Sequence, residues 1–163
     1  MPQRFLPPAA LLLGLALLGC SSDDEGAEGD LQVETGAAHA TASTHCVEVI
    51  NEYRASIGLP AYERWADGEA CADGEAKSDA ETGKAHGAFP RCGESAQNEC
   101  PGWNGAPETM IDGCLEMMWN EGPGEDFSQH GHYLNMSNKD YKQVACGFFV
   151  TPSGSVWSVQ NFK

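Results

Sequence analysis

Basic residues are scarce in this 163-residue sequence, which has 9 Lys and Arg against 24 Asp and Glu and a formal net charge of −15. Residues 45–163 hold 18 of the acids and 8 of the basic residues, so this segment alone carries about ten negative charges. A surface of this sign repels phosphate groups. The charge argues against nucleic acid and anionic lipid headgroups as direct partners, and it permits the binding of cations.

Several motifs of common catalytic and metal-binding sites are also missing. The sequence contains no C-x-x-C pair, H-E-x-x-H motif, G-x-S-x-G turn, P-loop or EF-hand loop. Each of these motifs fixes a particular set of ligands or a nucleophile in space. Their absence disfavours a thiolate zinc site and a serine hydrolase built on a nucleophile elbow.

Long hydrophobic runs are limited to one segment near the N-terminus. Residues 9–18 are all apolar or Gly, they follow the basic Arg4, and small residues stand directly after them. A run of ten residues is too short for a transmembrane helix, which needs about 20. The pattern predicts a signal peptide over residues 1–19.

The end of this segment resembles a bacterial lipobox. The lipobox would be residues 17–20, Leu-Leu-Gly-Cys. Cys20 would then be lipidated and become the first residue of the mature chain. The alternative is an ordinary cleaved signal followed by a free cysteine. With Ser21 next to it, the lipid anchor predicts a location at the cell envelope, on the outer membrane if the cell has one. The domain would then be extracytoplasmic and meet the membrane only through the anchor.

Composition divides the rest of the chain into a tether and a domain. Residues 21–44 contain six acids, no Lys or Arg and no aromatic residue. Such a segment cannot bury enough apolar surface to offset the entropy of ordering it. We therefore expect residues 20–44 to form a disordered acidic tether and residues 45–163 to form one domain.

Six cysteines lie in this domain, and an even number in an exported domain indicates three disulfides. They are Cys46, Cys71, Cys92, Cys100, Cys114 and Cys146. Six cysteines allow 15 pairings, so the sequence leaves the pairing open. The short loop that a Cys92–Cys100 bond would close makes this pair the favoured one.

Periodicity predicts three helices and a hairpin. Apolar residues at helical spacing predict a first helix between Thr44 and Gly58, a second over 67–81 and a third over 107–121. The segments 143–150 and 155–162 are strand-like and are joined by turn residues. Helices followed by a hairpin and stapled by disulfides indicate an α+β domain.

Nine short segments of the domain together resemble the CAP superfamily, which includes cysteine-rich secretory proteins, insect venom antigen 5 and plant pathogenesis-related proteins. In chain order they are 49–54, 58–60, Trp65, His86, 93–94, 119–121, 131–136, 144–147 and 159–162. Together these segments span nearly all of residues 45–163, in the order and spacing of the family. The resemblance implies an α-β-α sandwich with a central antiparallel sheet.

The resemblance also implies a cleft that holds two histidines and two glutamates, namely His86, Glu94, Glu121 and His132. If they converge, the two imidazoles could ligate Zn²⁺ or another divalent cation. The two carboxylates would then be ligands or would orient the imidazoles. Without metal, the same four side chains would form a charge-paired structural cluster.

Two classes of function follow from this set of residues. The first is a ligand-binding or interaction module at the cell envelope, whose partner is a small apolar or lipid ligand or another envelope protein. The second is a metal-dependent hydrolase or peptidase that uses the four residues. No residue is assigned a catalytic role on this evidence, and whether the protein is an enzyme stays open.

Overall fold

Four helices and four strands make up residues 39–163, the part of the chain that the structure, a computed structural model, describes. They are α1 (Ala40–Ser56), β1 (Glu63–Arg64), α2 (Ala66–Thr82), β2 (Ala96–Trp103), α3 (Pro107–Trp119), α4 (Phe127–Met136), β3 (Gln143–Val150) and β4 (Val156–Phe162). Within these residues, no helix is long and apolar enough to cross a membrane. The predicted signal peptide, Cys20 and residues 21–38 of the predicted tether lie outside them.

The strands form one sheet in the order β1-β3-β4-β2. The predicted hairpin is confirmed as β3 and β4, which pair antiparallel, and β2 adds to the other edge of β4 in the same sense. Only the two-residue β1 pairs in parallel, with β3. The sheet is therefore mixed, and the α+β sandwich expected from the sequence is confirmed.

The helices cover both faces of this sheet. On one face α1, α3 and α4 enclose the main hydrophobic core, which includes Ile50, Ile111, Met118 and Phe148. On the other face α2 packs on β3 and β4 through small residues. Gly147 of β3 permits this close approach, because a Cβ atom there would lie 2.2 Å from the backbone carbon of Ala72.

Three disulfides staple the domain, as expected, but the favoured pair was wrong. The bonds are Cys46–Cys146, Cys71–Cys92 and Cys100–Cys114. Cys92 joins α2 on one face of the sheet, whereas Cys100 lies on β2 and joins α3 on the opposite face. Because Cys92 lies in the loop that leads from α2 and Cys100 points from β2 into the main core, sequence proximity did not decide the pairing.

The first helix begins earlier than predicted. Residues 40–44, assigned to the disordered tether, form the first turn of α1. Ala42 and Ser43 are buried there, and the Ser43 hydroxyl donates a hydrogen bond to the carbonyl of Cys146 at 2.9 Å. This contact with β3 orders a segment whose composition alone indicates disorder.

Candidate functional site

His132 and Glu121, two of the four candidate residues, are in direct contact. Glu121 follows the end of α3, and its Oε1 lies 2.5 Å from Nδ1 of His132. Its Oε2 accepts the backbone N–H of His132 at 3.0 Å and that of Tyr133 at 3.4 Å. The carboxylate therefore fixes the ring of His132 and leaves Nε2 directed away from it.

The helix that carries His132, α4, is not among the three helices that the periodicity predicts. Asp126 caps α4, since its carboxylate accepts the N–H of Ser128 at 2.9 Å and the Gln129 amide at 3.0 Å. An acidic N-cap followed three residues later by Gln is a capping-box pattern. This pattern is the sequence signal that could have predicted α4.

His86 lies in the loop between α2 and β2, in a left-handed backbone conformation with φ of 57°. For a residue with a Cβ this conformation costs about 1–2 kcal/mol. It is held by the buried Glu99, whose carboxylate accepts the backbone N–H of His86. The Nδ1 of His86 lies 2.9 Å from Oε1 of Gln97, and the ring is 43% exposed.

The two histidines line one cavity of about 220 Å³, here called the histidine cavity. It is lined by His86, Gln97, Glu121, Phe127, Ser128, Gly131, His132 and Asn135. A second cavity of about 320 Å³, the aromatic cavity, shares four of these residues and so adjoins it. It adds Phe89, Ser95, Ala96 and Tyr141. The pair forms a polar pocket beside an aromatic one.

Glu94 does not join the other three predicted residues. It is 6% exposed and does not line either cavity, and neither of its carboxylate oxygens has a hydrogen-bond partner among residues 39–163. It lies instead beside Glu75 of α2. Gln97, and not Glu94, lies next to the ring of His86.

Burial perturbs the acids behind His86. Removal from water raises the pKa of Glu99 to about 7, and the negative charges of Asp79 and Glu75 add to this effect. The N–H of His86 acts in the opposite direction. Burial also raises the pKa of Asp79 and of Glu75. The backbone N–H of His86 is thus bonded to one member of a cluster of buried carboxyl groups whose pKa values are raised.

The donor chemistry of the histidine cavity fits a divalent metal held by two imidazoles. A metal-ligating His usually has its second ring nitrogen bonded to a carboxylate or carbonyl oxygen. His132 has Glu121 in this role and His86 has Gln97, which leaves both Nε2 atoms available. No third protein ligand is arranged with them among residues 39–163, because the only group of three or more donors within 4.8 Å there is Glu75, Cys92 and Glu94.

Comparison with known sequences identifies the family. The profile of the CAP (cysteine-rich secretory protein) family matches residues 47–162. The chain belongs to this family. A search among curated protein sequences finds no match. CAP domains are often extracellular interaction modules, and the three disulfides agree with an extracellular or secreted domain.

Solved structures with similar folds are distant in sequence. Na-ASP-1 has 14% identity and a TM-score of 0.58, over 75% of this chain and 38% of its own length. NaASP2 with Zn²⁺ has 14% identity and a TM-score of 0.58, over 74% of this chain and 78% of that protein. The hookworm platelet inhibitor has 15% identity and a TM-score of 0.50, over 74% and 67%. At these identities the likeness establishes the fold alone.

Proposed function

We propose that this CAP domain is an envelope-tethered, extracytoplasmic ligand-binding or interaction module. The observation that carries the proposal is the aromatic rim of the two adjoining cavities. Phe127 is 62% exposed and Phe89 is 38% exposed, and both line the aromatic cavity together with Tyr141. Large aromatic side chains left open to water at a concave site favour binding of an apolar group.

The polar half of the site defines the other end of the ligand. His86, His132 and the amides of Gln97 and Asn135 line the adjoining histidine cavity. A ligand with an apolar body against Phe127 and a polar or acidic head against the imidazoles matches this arrangement. Small lipids, such as fatty acids, have this chemistry.

The Phe127→Ser variant tests this site. Covering a phenylalanine side chain contributes about 1.5–3 kcal/mol, so its loss should lower affinity about 10- to 100-fold. A fluorescent fatty acid such as cis-parinaric acid serves as the probe in an equilibrium titration. Phe127 is the first residue of α4, where serine is compatible with the helix.

Ile57→Ser is the matched control, since Ile57 is 48% exposed and lies outside both cavities. It should bind the probe as tightly as the unmodified protein. Equal affinity of the two variants would exclude the aromatic cavity as the ligand site.

A divalent metal at His86 and His132 is a second property that we propose for this module. The support is that both rings line one cavity and that each has its Nδ1 held by an oxygen. Bound there, Zn²⁺ would supply a positive centre for the carboxylate of such a ligand and would offset the negative charge of the domain, which otherwise disfavours an anionic head. The structure of NaASP2, which has a similar fold, was solved with Zn²⁺, and this agrees with the proposal.

The alternative, a metal-dependent hydrolase, has less support from the geometry. Catalytic zinc sites commonly use three protein ligands and an open position for water. Here two imidazoles are available, and both oxygens of Glu121 are engaged by His132 and Tyr133. Glu121 is therefore poorly placed to accept a proton from a water molecule. We favour binding over catalysis for this reason.

We propose that the tether is attached through lipid on Cys20, on the strength of the Leu-Leu-Gly-Cys motif. The Cys20→Ala variant should move from the membrane fraction to the soluble fraction of the expressing cells, because one acylated residue supplies the anchor. Fractionation and immunoblotting measure this, with Ser21→Ala as the control that stays anchored. A Cys20→Ala protein that remains with the membrane would contradict the lipid anchor.

A further inference from the structure

Four acids are buried between α2 and the adjacent face of the sheet, on the opposite side from the main core. Glu75 and Asp79 lie one turn apart on α2, Glu94 lies two residues before the start of β2, and Glu99 lies within β2. Their exposed fractions are 0%, 0%, 6% and 3%. Among residues 39–163, none of them forms an ion pair with Lys or Arg. A buried charge without a partner is costly.

Most of these carboxylates also lack hydrogen-bond donors. Both oxygens of Asp79, both oxygens of Glu94 and Oε1 of Glu99 have no partner within the described part of the chain. The Gly87 and Ala88 amides lower the pKa of Asp79 somewhat but do not reach hydrogen-bonding geometry. The interior therefore holds more acceptor atoms than the protein satisfies.

Glu75 is the exception, because three donors hold it in place. It accepts the backbone N–H of Arg91 at 3.0 Å, the Gln97 amide at 3.1 Å and the Asn161 amide at 2.6 Å. Hydrogen bonds of this kind favour the ionised form, but burial and the neighbouring Glu94 outweigh them and raise the pKa of Glu75. One oriented carboxyl group thus lies beside Glu94, which has no N–H donor and can share only a proton with Glu75.

The donor atoms of these two glutamates converge. A carboxylate oxygen of Glu75, one of Glu94 and Sγ of Cys92 all lie within 4.8 Å of one another. Cys92 is bonded to Cys71, so its sulfur is a wall of the site and not a thiolate ligand. Two oxygens bound to one Ca²⁺ lie up to about 5 Å apart, because each Ca–O distance is about 2.3–2.6 Å.

We propose that Glu75 and Glu94 bind a calcium ion between α2 and the start of β2. Oxygen-only ligation and the ability of carboxylates to bind through one or both oxygens suit Ca²⁺ better than Zn²⁺. The ion offsets the charge of Asp79 and Glu99 and gives Glu94 the partner that the protein lacks. This site shares no ligand with the histidine cavity.

Gln97 links the calcium site to the histidine cavity. Its Nε2 donates to Glu75 and to Asn161, and its Oε1 faces Nδ1 of His86. An ion that holds Glu75 therefore also holds the amide that orients His86.

The test is calorimetric titration of the chelator-treated, oxidised protein with Ca²⁺ alone, beside Glu94→Gln and Glu116→Gln. Binding at one site with a Kd no weaker than about 10⁻⁴–10⁻³ M is expected, as for extracellular calcium modules. Glu94→Gln keeps the size of the side chain and should lower the affinity at least tenfold. Glu116→Gln removes an exposed acid of α3 and should change nothing. The His86→Ala/His132→Ala variant should bind Ca²⁺ normally.

NMR of the unmodified protein supplies a readout that does not depend on a variant that folds. Addition of Ca²⁺ should shift the Arg91 backbone amide and the Gln97 side-chain amide, which both contact Glu75. Two results would overturn the proposal. In one, no saturable binding occurs at millimolar Ca²⁺ and Glu94→Gln melts at a higher temperature, as expected if the two carboxyls share a proton. In the other, Ca²⁺ binds equally to Glu94→Gln.

Discussion

Replacing Arg54 by methionine is expected to lower the free energy of unfolding by about 3–5 kcal/mol. Arg54 is 1% exposed on α1 and has no acidic partner among residues 39–163. Its Nε donates to the carbonyl of Pro60 at 2.8 Å, and one guanidinium nitrogen donates to the carbonyls of Met136 and Asn138 at 2.7 and 2.9 Å. Methionine has a similar length but no donor, so these carbonyls would lose the partner that Arg54 provides.

The location of these carbonyls connects Arg54 to the candidate site. Met136 is the last residue of α4, the helix that carries His132 one turn earlier. A positive charge at a helix C-terminus also stabilises the helix dipole. Arg54 packs over the Tyr62 ring at 3.5 Å, and the Tyr62 hydroxyl donates to the same Asn138 carbonyl. The side chain thus joins α1, the turn before β1 and α4.

Urea-induced unfolding of the oxidised protein measures the effect of Arg54→Met. Arg91→Met is the matched control, because Arg91 is exposed and should change stability by no more than about 0.5 kcal/mol. Arg54→Lys keeps the charge with fewer directed donors and should lie between the two. A loss below about 1 kcal/mol for Arg54→Met would show that water or a rearranged backbone replaces its hydrogen bonds.

The elements that could be predicted from the sequence are those whose apolar residues recur at helical or strand spacing. Helices α1, α2 and α3 and the hairpin β3–β4 were all expected, and the small residues of α2 have a physical reason in the close approach at Gly147. The segment 49–54 supported the family assignment. Its structural role became clear only when Asn51 and Arg54 were found to bind the turn at residues 60–62.

Strand β2 could not be recognised by the same means, because it buries polar side chains on both faces. Gln97 and Glu99 point to α2, and Asn98 points to α4, where it donates to the carbonyl of His132 at 3.1 Å. Polar residues at consecutive buried positions give no apolar alternation. Because the path of β2 sets which face each residue occupies, the position of Glu94 and the partners of Cys92 and Cys100 were also beyond the sequence.

The residues of the candidate site also differ in how far the sequence could predict their positions. The contact between Glu121 and His132 could be inferred because both lie in motifs of the family resemblance. Gln97 could not be, since nothing in its sequence context distinguishes it from a surface residue. Its role depends on hydrogen bonds from elements far apart in the chain, to Glu75, His86 and Asn161.

Loss of both candidate imidazoles should abolish measurable binding of Zn²⁺. Each single variant, His86→Ala or His132→Ala, should weaken binding by at least about tenfold, because each removes one of two nitrogen ligands. Glu121→Gln should also weaken it, by about 10- to 100-fold, because the amide holds the His132 ring less firmly than the carboxylate does. Calorimetric titration of the oxidised protein near neutral pH measures these affinities.

Two controls separate this site from other metal-binding groups. His45 pairs with Asp112 at 2.6 Å on the surface of α1 and α3, so His45→Ala should bind Zn²⁺ as the unmodified protein does. Glu94→Gln should also leave Zn²⁺ binding unchanged, because Glu94 lies outside the histidine cavity. If the double histidine variant retains the affinity of the unmodified protein, the two imidazoles do not bind Zn²⁺. The contact between His132 and Glu121 would then serve to hold α4 against the end of α3.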